Sequence, residues 1–347
     1  MKMKAFPSGV FLCIVLAAPT PFSANAESKL PYHVVNLGIS RGNTGALRIN
    51  NRGEIAGVSH DGLVAFLYTT DGRINELPLP PGAASPQIVD LNERGQVLIY
   101  AGLAAVIDGV QIYNTTLLAD RSHVVDVKSV VGRPIVFGFA LNNLGDIVGS
   151  DLRADFRYHP FLFSDGTFSL LDSGFGDALF TQAVDINDSR SILIWALLTV
   201  GTQPVLHTFV LSNGTMTDIG SLPGGGGTSG QRINNRGHVM GISQAGTNNI
   251  VHSFLWQDGR MIDLGDSRFF DLNNNDEMIG RNADYEPVIY TGGAEHRLAP
   301  LIQDIGRYDG FEINSINDAS QIVGSGTHRL RTEAILIEPS KTPAHEP

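Results

Sequence analysis

The chain has 347 residues, with 35 Asp and Glu against 24 Lys and Arg, a formal net charge of −11, one cysteine and 39 glycines. That balance excludes nucleic acid as a partner, because no basic stripe offsets repulsion from phosphate. A lone cysteine excludes a disulfide framework, so stability has to come from a core that a closed array of this length can bury.

The first 26 residues read as a secretory signal peptide. Lys2 and Lys4 form a positive n-region, residues 11–18 an apolar run, and Ala24-Asn25-Ala26 a small-residue cleavage site, which predicts cutting after Ala26. The apolar run is too short to span a bilayer. Cys13 follows the bulky Leu12, where a lipoprotein signal requires a small residue, so a lipid anchor is not expected. Cleavage removes the cysteine and both lysines, leaving a net charge of −13 and a soluble, secreted or periplasmic chain without a membrane span.

Residues 32–38 read as one isolated strand. Seven copies of a short phrase then follow, each an aliphatic residue, an Asn, a turn and a second apolar stretch. The marking residues are Asn50, Asn92, Asn142, Asn187, Asn234, Asn273 and Asn317, spaced 42, 50, 45, 47, 39 and 44 apart. A period near 44 in a β-rich chain is that of a propeller blade. The fifth copy is the clearest: a strand ends at Asn234, a second covers 238–243, a third 252–256, and a fourth 261–264 after the Asp258-Gly259 turn. Asp71-Gly72, Asp108-Gly109, Asp165-Gly166, Asn213-Gly214 and Gly292-Gly293 are assigned to the same third-to-fourth turn of other copies. The seventh copy stops after its third strand, so the isolated N-terminal strand is predicted to complete it and close the ring. The expected fold is all-β: a seven-bladed propeller of four-stranded antiparallel blades over residues 27–338, with a flexible tail at 339–347. Six or eight blades stay open, because the second copy is eroded between Leu103 and Ile112.

The repeated Asn reads as a structural turn residue whose amide bonds the backbone two residues on. Gly also recurs seven residues after it, at Gly57, Gly149, Gly241, Gly280 and Gly324, which predicts close backbone approach where the sheets crowd toward the axis. Ile99 and Ile194 break this rule and predict distortion of the second and fourth blades.

His159-Pro160-Phe161, His207-Thr208-Phe209 and His252-Ser253-Phe254 stand at one position of three successive copies. With them the pattern, from residue 32 to about 338, resembles the HAF family of extracellular repeats, named for a His-Ala-Phe segment. The resemblance implies the repeat type and secretion, and no activity. The chain departs from it at Val64, Glu286 and Glu333.

In an up-down-up-down blade the tight Asn and Asp-Gly turns share one face. The second-to-third and interblade loops share the other, where binding residues are expected. His159, His207, His252, Glu286 and Glu333 begin third strands beside those loops. Such imidazoles and carboxylates, if convergent, would hold a divalent metal or act as acid and base; repeated at equivalent places, they read instead as structural within each blade. Arg157, Tyr158 and Tyr285 are the accompanying binding candidates. Residues 271–275 mimic the start of a calcium loop, but Asp276 occupies the required Gly position, so they read as the sixth blade turn. Without a recognisable nucleophile motif, the leading expectation is a monomeric, non-catalytic module for a glycan or an extracellular or envelope protein, needing no cofactor. The alternative is a metal-assisted or acid/base polysaccharide lyase or hydrolase.

Overall fold

The computed structural model describes residues 32–39, 42–59, 61–107, 110–133, 136–247 and 250–340; the signal segment and residues 341–347 of the tail lie outside the described residues. These residues form seven antiparallel sheets arranged as a seven-bladed β-propeller. The eroded second copy is a complete blade with the strands Ala84–Leu91, Val97–Ile107, Val110–Ala119 and Val124–Asp126. Its irregularity is an elongated hairpin with a register shift between Gly102 and Ala105. Asp108 and Gly109 lie outside the described residues, but the strands flanking them are the second and third of the blade. The dipeptide is therefore not the third-to-fourth turn; residues 120–123 are, closed by Asp120 N–H to His123 O. Asp-Gly favours any tight hairpin and does not say which one.

The ring closes through the N-terminal strand. Tyr32–Asn36 pairs antiparallel with Arg331–Pro339 and becomes the outer strand of blade seven, with Tyr32 and Val34 buried. Ile302–Gln303, from the connection between blades six and seven, pairs parallel with Tyr32 and His33 and covers the edge that would otherwise stay open.

Each inner strand carries a bulge at the same place. The skipped residues are Leu47, Val89, Phe139, Val184, Gln231, Phe270 and Asn314. In a regular strand the residues four and two before the repeated Asn would share a face. The extra residue inverts the phase, so the former enters the blade core (Ala46, Ile88, Gly138, Ala183, Gly230, Phe269, Ile313) while the latter is freed to line the axis.

Gly recurs opposite this bulge in five blades, for a reason other than the one expected. At Gly57, Gly149, Gly241, Gly280 and Gly324 a Cβ would press against the carbonyl oxygen of Gly45, Phe137, Ser229, Arg268 or Glu312, each on the adjoining strand of the same blade. Crowding is thus within a blade, not between sheets at the axis. Ile194 does not distort blade four: it pairs with Ala183 around a bulge in the same register as its counterparts.

Second-to-third connections are mostly short hairpins, since strands such as Val239–Ala245 and Ile322–His328 run almost to the turn. Length variation lies in the interblade segments, among them residues 219–227 and 298–309.

Candidate functional site

The Asn-turn face is built as two closed rings of hydrogen bonds. In all seven blades the Asn Oδ1 accepts the N–H groups two and four residues on, at 2.8–3.1 Å. Its Nδ2 donates to the backbone carbonyl of the next blade's Asn at 2.9–3.2 Å, from Asn50 to Asn92 and onward until Asn317 returns to Asn50. A second ring uses the following residue. The N–H groups of Asn51, Glu93, Asn143, Asp188, Asn235, Asn274 and Asp318 each donate to the next blade's side chain at 2.7–2.9 Å. These polar groups are occupied with each other, so the mouth they frame, about 170 Å³, is a structural closure.

Above it lies a charged chamber of about 140 Å³. The residues two before each Asn supply Arg48, Asp90, Asp185, Arg232 and Asp271, with Ala140 and Ser315 completing the layer. Asp90, Asp185 and Asp271 pin the blades by accepting N–H groups of Leu141, Ile233 and Ile316, each at 2.8 Å. Arg232 Nε lies 3.4 Å from Asp271 and Arg48 Nε donates to Val89 O. These side chains are largely enclosed by protein yet face a space with room for several waters, and burial pushes the Asp185 carboxyl up to about 7 against the pull of Arg232.

Phe139, shared with that chamber, also borders a wider cavity of about 660 Å³ over blades two to four. It opens on the interblade-loop face, where the inner strands of blades two and four begin, beside residues 100–102 and Asn114 of the blade-two hairpin. Its aromatic wall is Tyr100, Phe137, Phe139, Tyr158 and Phe180. Tyr100 meets Phe139 edge-on at 6.0 Å, and Tyr158 lies between Phe137 at 6.2 Å and Phe180 at 6.3 Å. Gln87, Asn114 and Gln182 add amides, and Ser85 and Ser150 hydroxyls. Among the described residues its lining contains no ionisable acid or base other than tyrosine, and burial pushes the Tyr100 phenol further above its ordinary range.

The sequence candidates fare differently. The three histidines each bond an Asp of their own blade: His159 Nδ1 with Asp172 at 3.0 Å, His207 with Asp218 at 2.8 Å, and His252 with Asp263 at 2.9 Å. Glu286 meets Arg297, Glu333 accepts Asn36 Nδ2 at 2.6 Å, and in blade two Thr115 donates to Asp126 at 2.9 Å. One third-to-fourth-strand latch thus recurs with its chemistry exchanged from blade to blade. Asp218, Asp263 and Asn36 also accept the N–H two residues on, which turns the chain out of the fourth strand. Although partial burial opposes it, the Gly265 N–H and His252 hold the Asp263 carboxyl below the usual carboxylate range. Among the described residues no group of three or more His, Cys, Asp or Glu is placed to hold a metal. Tyr158 stands in the cavity wall; Arg157 lies outside it, 3.4 Å from Ala178 O, and Tyr285 is a hairpin tip, 78% exposed. Tyr100, Phe137, Phe139 and Phe180 were not anticipated, nor was the charged layer.

No family model matches the chain, and no curated protein matches it. Solved structures match in fold. A streptogramin B lyase is 13% identical, covering 91% of this chain and 100% of its own, with a TM-score of 0.52. A catalytically inactive virginiamycin B lyase from Staphylococcus aureus with quinupristin is 12% identical over 88% and 99%, at 0.55. The propeller domain of the trilobed protease from Pyrococcus furiosus, described as having an open velcro topology, is 7% identical over 87% and 94%, at 0.54. At these identities the likeness concerns the propeller alone.

Proposed function

We propose that this chain is a secreted or periplasmic recognition module that binds a glycan or an envelope protein on its interblade-loop face, without catalysis. The observation that carries the reading is the open cavity over blades two to four, whose wall offers aromatic surface, amides and hydroxyls and, among the described residues, no carboxylate or imidazole. The His and Glu set of the enzymatic alternative is engaged in latches, each within its own blade, and among the described residues it is not gathered at one site.

Loss of Cys13 with the signal peptide leaves a thiol-free chain for site-directed blocking. S85C at the cavity rim and D71C on the Asn-turn face, each coupled to a polyethylene glycol maleimide, are compared for retention of oligosaccharides and purified envelope proteins. Loss of retention from the first alone is expected. Loss from the second alone, or zinc, manganese or calcium copurifying stoichiometrically from chelator-free buffer, overturns the reading.

A further inference from the structure

We infer that the cavity over blades two to four is a binding site for an uncharged oligosaccharide, seated with its sugar faces on the aromatic wall; this rests on the recognition-module reading above. Three features of the wall select that chemistry. First, the rings meet edge-on or tilted, with interplanar angles of 81° for Tyr100–Phe139, 59° for Phe137–Tyr158 and 71° for Tyr158–Phe180. An edge-on contact covers only one face of one ring, which leaves other ring faces in the wall for the C–H face of a pyranose.

Second, the polar groups match a ligand rich in hydroxyls. Gln87 and Gln182 stand at equivalent places on two inner strands, each with an amide donor and acceptor for neighbouring hydroxyls. Between them Ser150 is 1% exposed, lines the cavity, and its hydroxyl has no hydrogen-bond partner among the described residues. A buried, unmatched hydroxyl is costly until a ligand or water satisfies it. A purely apolar ligand would leave Ser150 and both glutamines unpaired.

Third, the described residues of the wall include no ionic partner for a charged ligand. A uronic acid or sulfate would lose hydration without gaining a counterion, so acidic glycans are selected against. The volume, about 660 Å³, falls in the range of small-molecule sites, roughly 300–1,000 Å³.

The test is calorimetric titration of the mature chain with neutral tetrasaccharides of β-1,4-glucose, α-1,4-glucose, β-1,4-xylose and β-1,4-N-acetylglucosamine, and with tetragalacturonate as the acidic probe. Y158A and Q182A are titrated beside wild type, with Y285A as a control outside the cavity and circular dichroism melts to verify folding. Tyr158 is 39% exposed, so its removal spares the core. At least one neutral probe should bind, tetragalacturonate should not, and Y158A and Q182A should each weaken affinity tenfold or more while Y285A leaves it unchanged. Absence of binding by every neutral probe, or preference for tetragalacturonate, overturns the inference. So does neutral binding that Y285A abolishes and the cavity variants do not, although that result would leave the loop-face module standing. Cleavage of a probe would instead refute the non-catalytic reading itself.

Discussion

Asn187 offers the cleanest measure of what the axial rings contribute. Its Oδ1 accepts Ser189 N–H at 3.1 Å and Ser191 N–H at 2.8 Å, and its Nδ2 donates to Asn234 O at 2.9 Å. Unlike Asn142 or Asn273, whose amides also bond a carboxylate four residues on, it has no acidic neighbour there. Asn187→Ala removes three bonds at a site 4% exposed. At about 1 kcal/mol each this is a loss of about 3 kcal/mol, rising where a buried group stays unmatched. For a chain of this size, with an unfolding entropy near 2.1 cal/mol/K per residue, the melting temperature should fall by roughly 5 °C. Asn187→Asp keeps the turn acceptor but turns the interblade donor into an acceptor facing a carbonyl. It should lose stability at neutral pH and recover part of it in acid, where the protonated carboxyl can donate again. Scanning calorimetry at pH 5 and pH 8 reads both. A shift below 1 °C for the alanine variant, or an aspartate variant indifferent to pH, would refute the claim that the ring stabilises the propeller.

Four further outcomes follow from the packing. A chain beginning at Ile39 loses the Tyr32–Asn36 strand and uncovers the edge at Arg331–Pro339; it should melt at least 10 °C lower and self-associate, and an unchanged melt with a monomeric sedimentation profile would contradict closure by that strand. Gly241→Ala drives a Cβ into Ser229 O and the Phe254 ring and should cost roughly 2–3 kcal/mol; Gly237→Ala, in open space at φ +80°, should cost only about 1 kcal/mol, so equal losses in urea titration would contradict the bulge account. His207→Gln can still donate to Asp218, a pair 25% and 39% exposed on its two sides, and should change stability by less than about 1 kcal/mol without altering oligosaccharide affinity. Finally, the folded Asp185 carboxyl, raised to about 7, binds its proton more tightly than in the unfolded chain. Its contribution is therefore full below about pH 4 and declines as pH rises through 7. Asp185→Asn should flatten the fall in melting temperature between pH 5.5 and 8.5; an identical slope would reassign that fall to other groups.

Architecture was legible because it is written seven times. One Asn turn is ambiguous, but seven at a blade-length period, with a missing last strand and a spare first one, leave a closed ring as the consistent solution. The His position was legible as a repeated one for the same reason: His159, His207 and His252 make one latch, and Thr115, Glu286 and Glu333 occupy it with other chemistry. What the Asn amide does beyond its own turn was hidden, because its partner, the carbonyl of the next Asn, lies 39 to 50 residues away along most of the ring.

The cavity wall was missed for a geometric reason that also shows how to find part of it. Strand alternation places the residues four and two before each Asn on one face, and only the bulge separates them. Once the seven copies are aligned, the columns differ in character. Four before the Asn, every residue is apolar or Gly and buried. Five before it stand Gly45, Gln87, Phe137, Gln182, Ser229, Arg268 and Glu312. A column that accepts a guanidinium and a carboxylate cannot be a core column, since a buried charge needs a partner in every blade that carries one. Phe137 therefore belongs to a surface that faces solvent, and an aromatic ring there is available for contact. The same comparison separates Phe139 from the core, because its column contains Gln231 and Asn314. The two columns carry aromatic rings at Phe137 and Phe139 in blade three and at Phe270 in blade six, so they reveal the blade-three part of the cavity wall, while Tyr100, Tyr158 and Phe180 enter it from other positions of blades two, three and four.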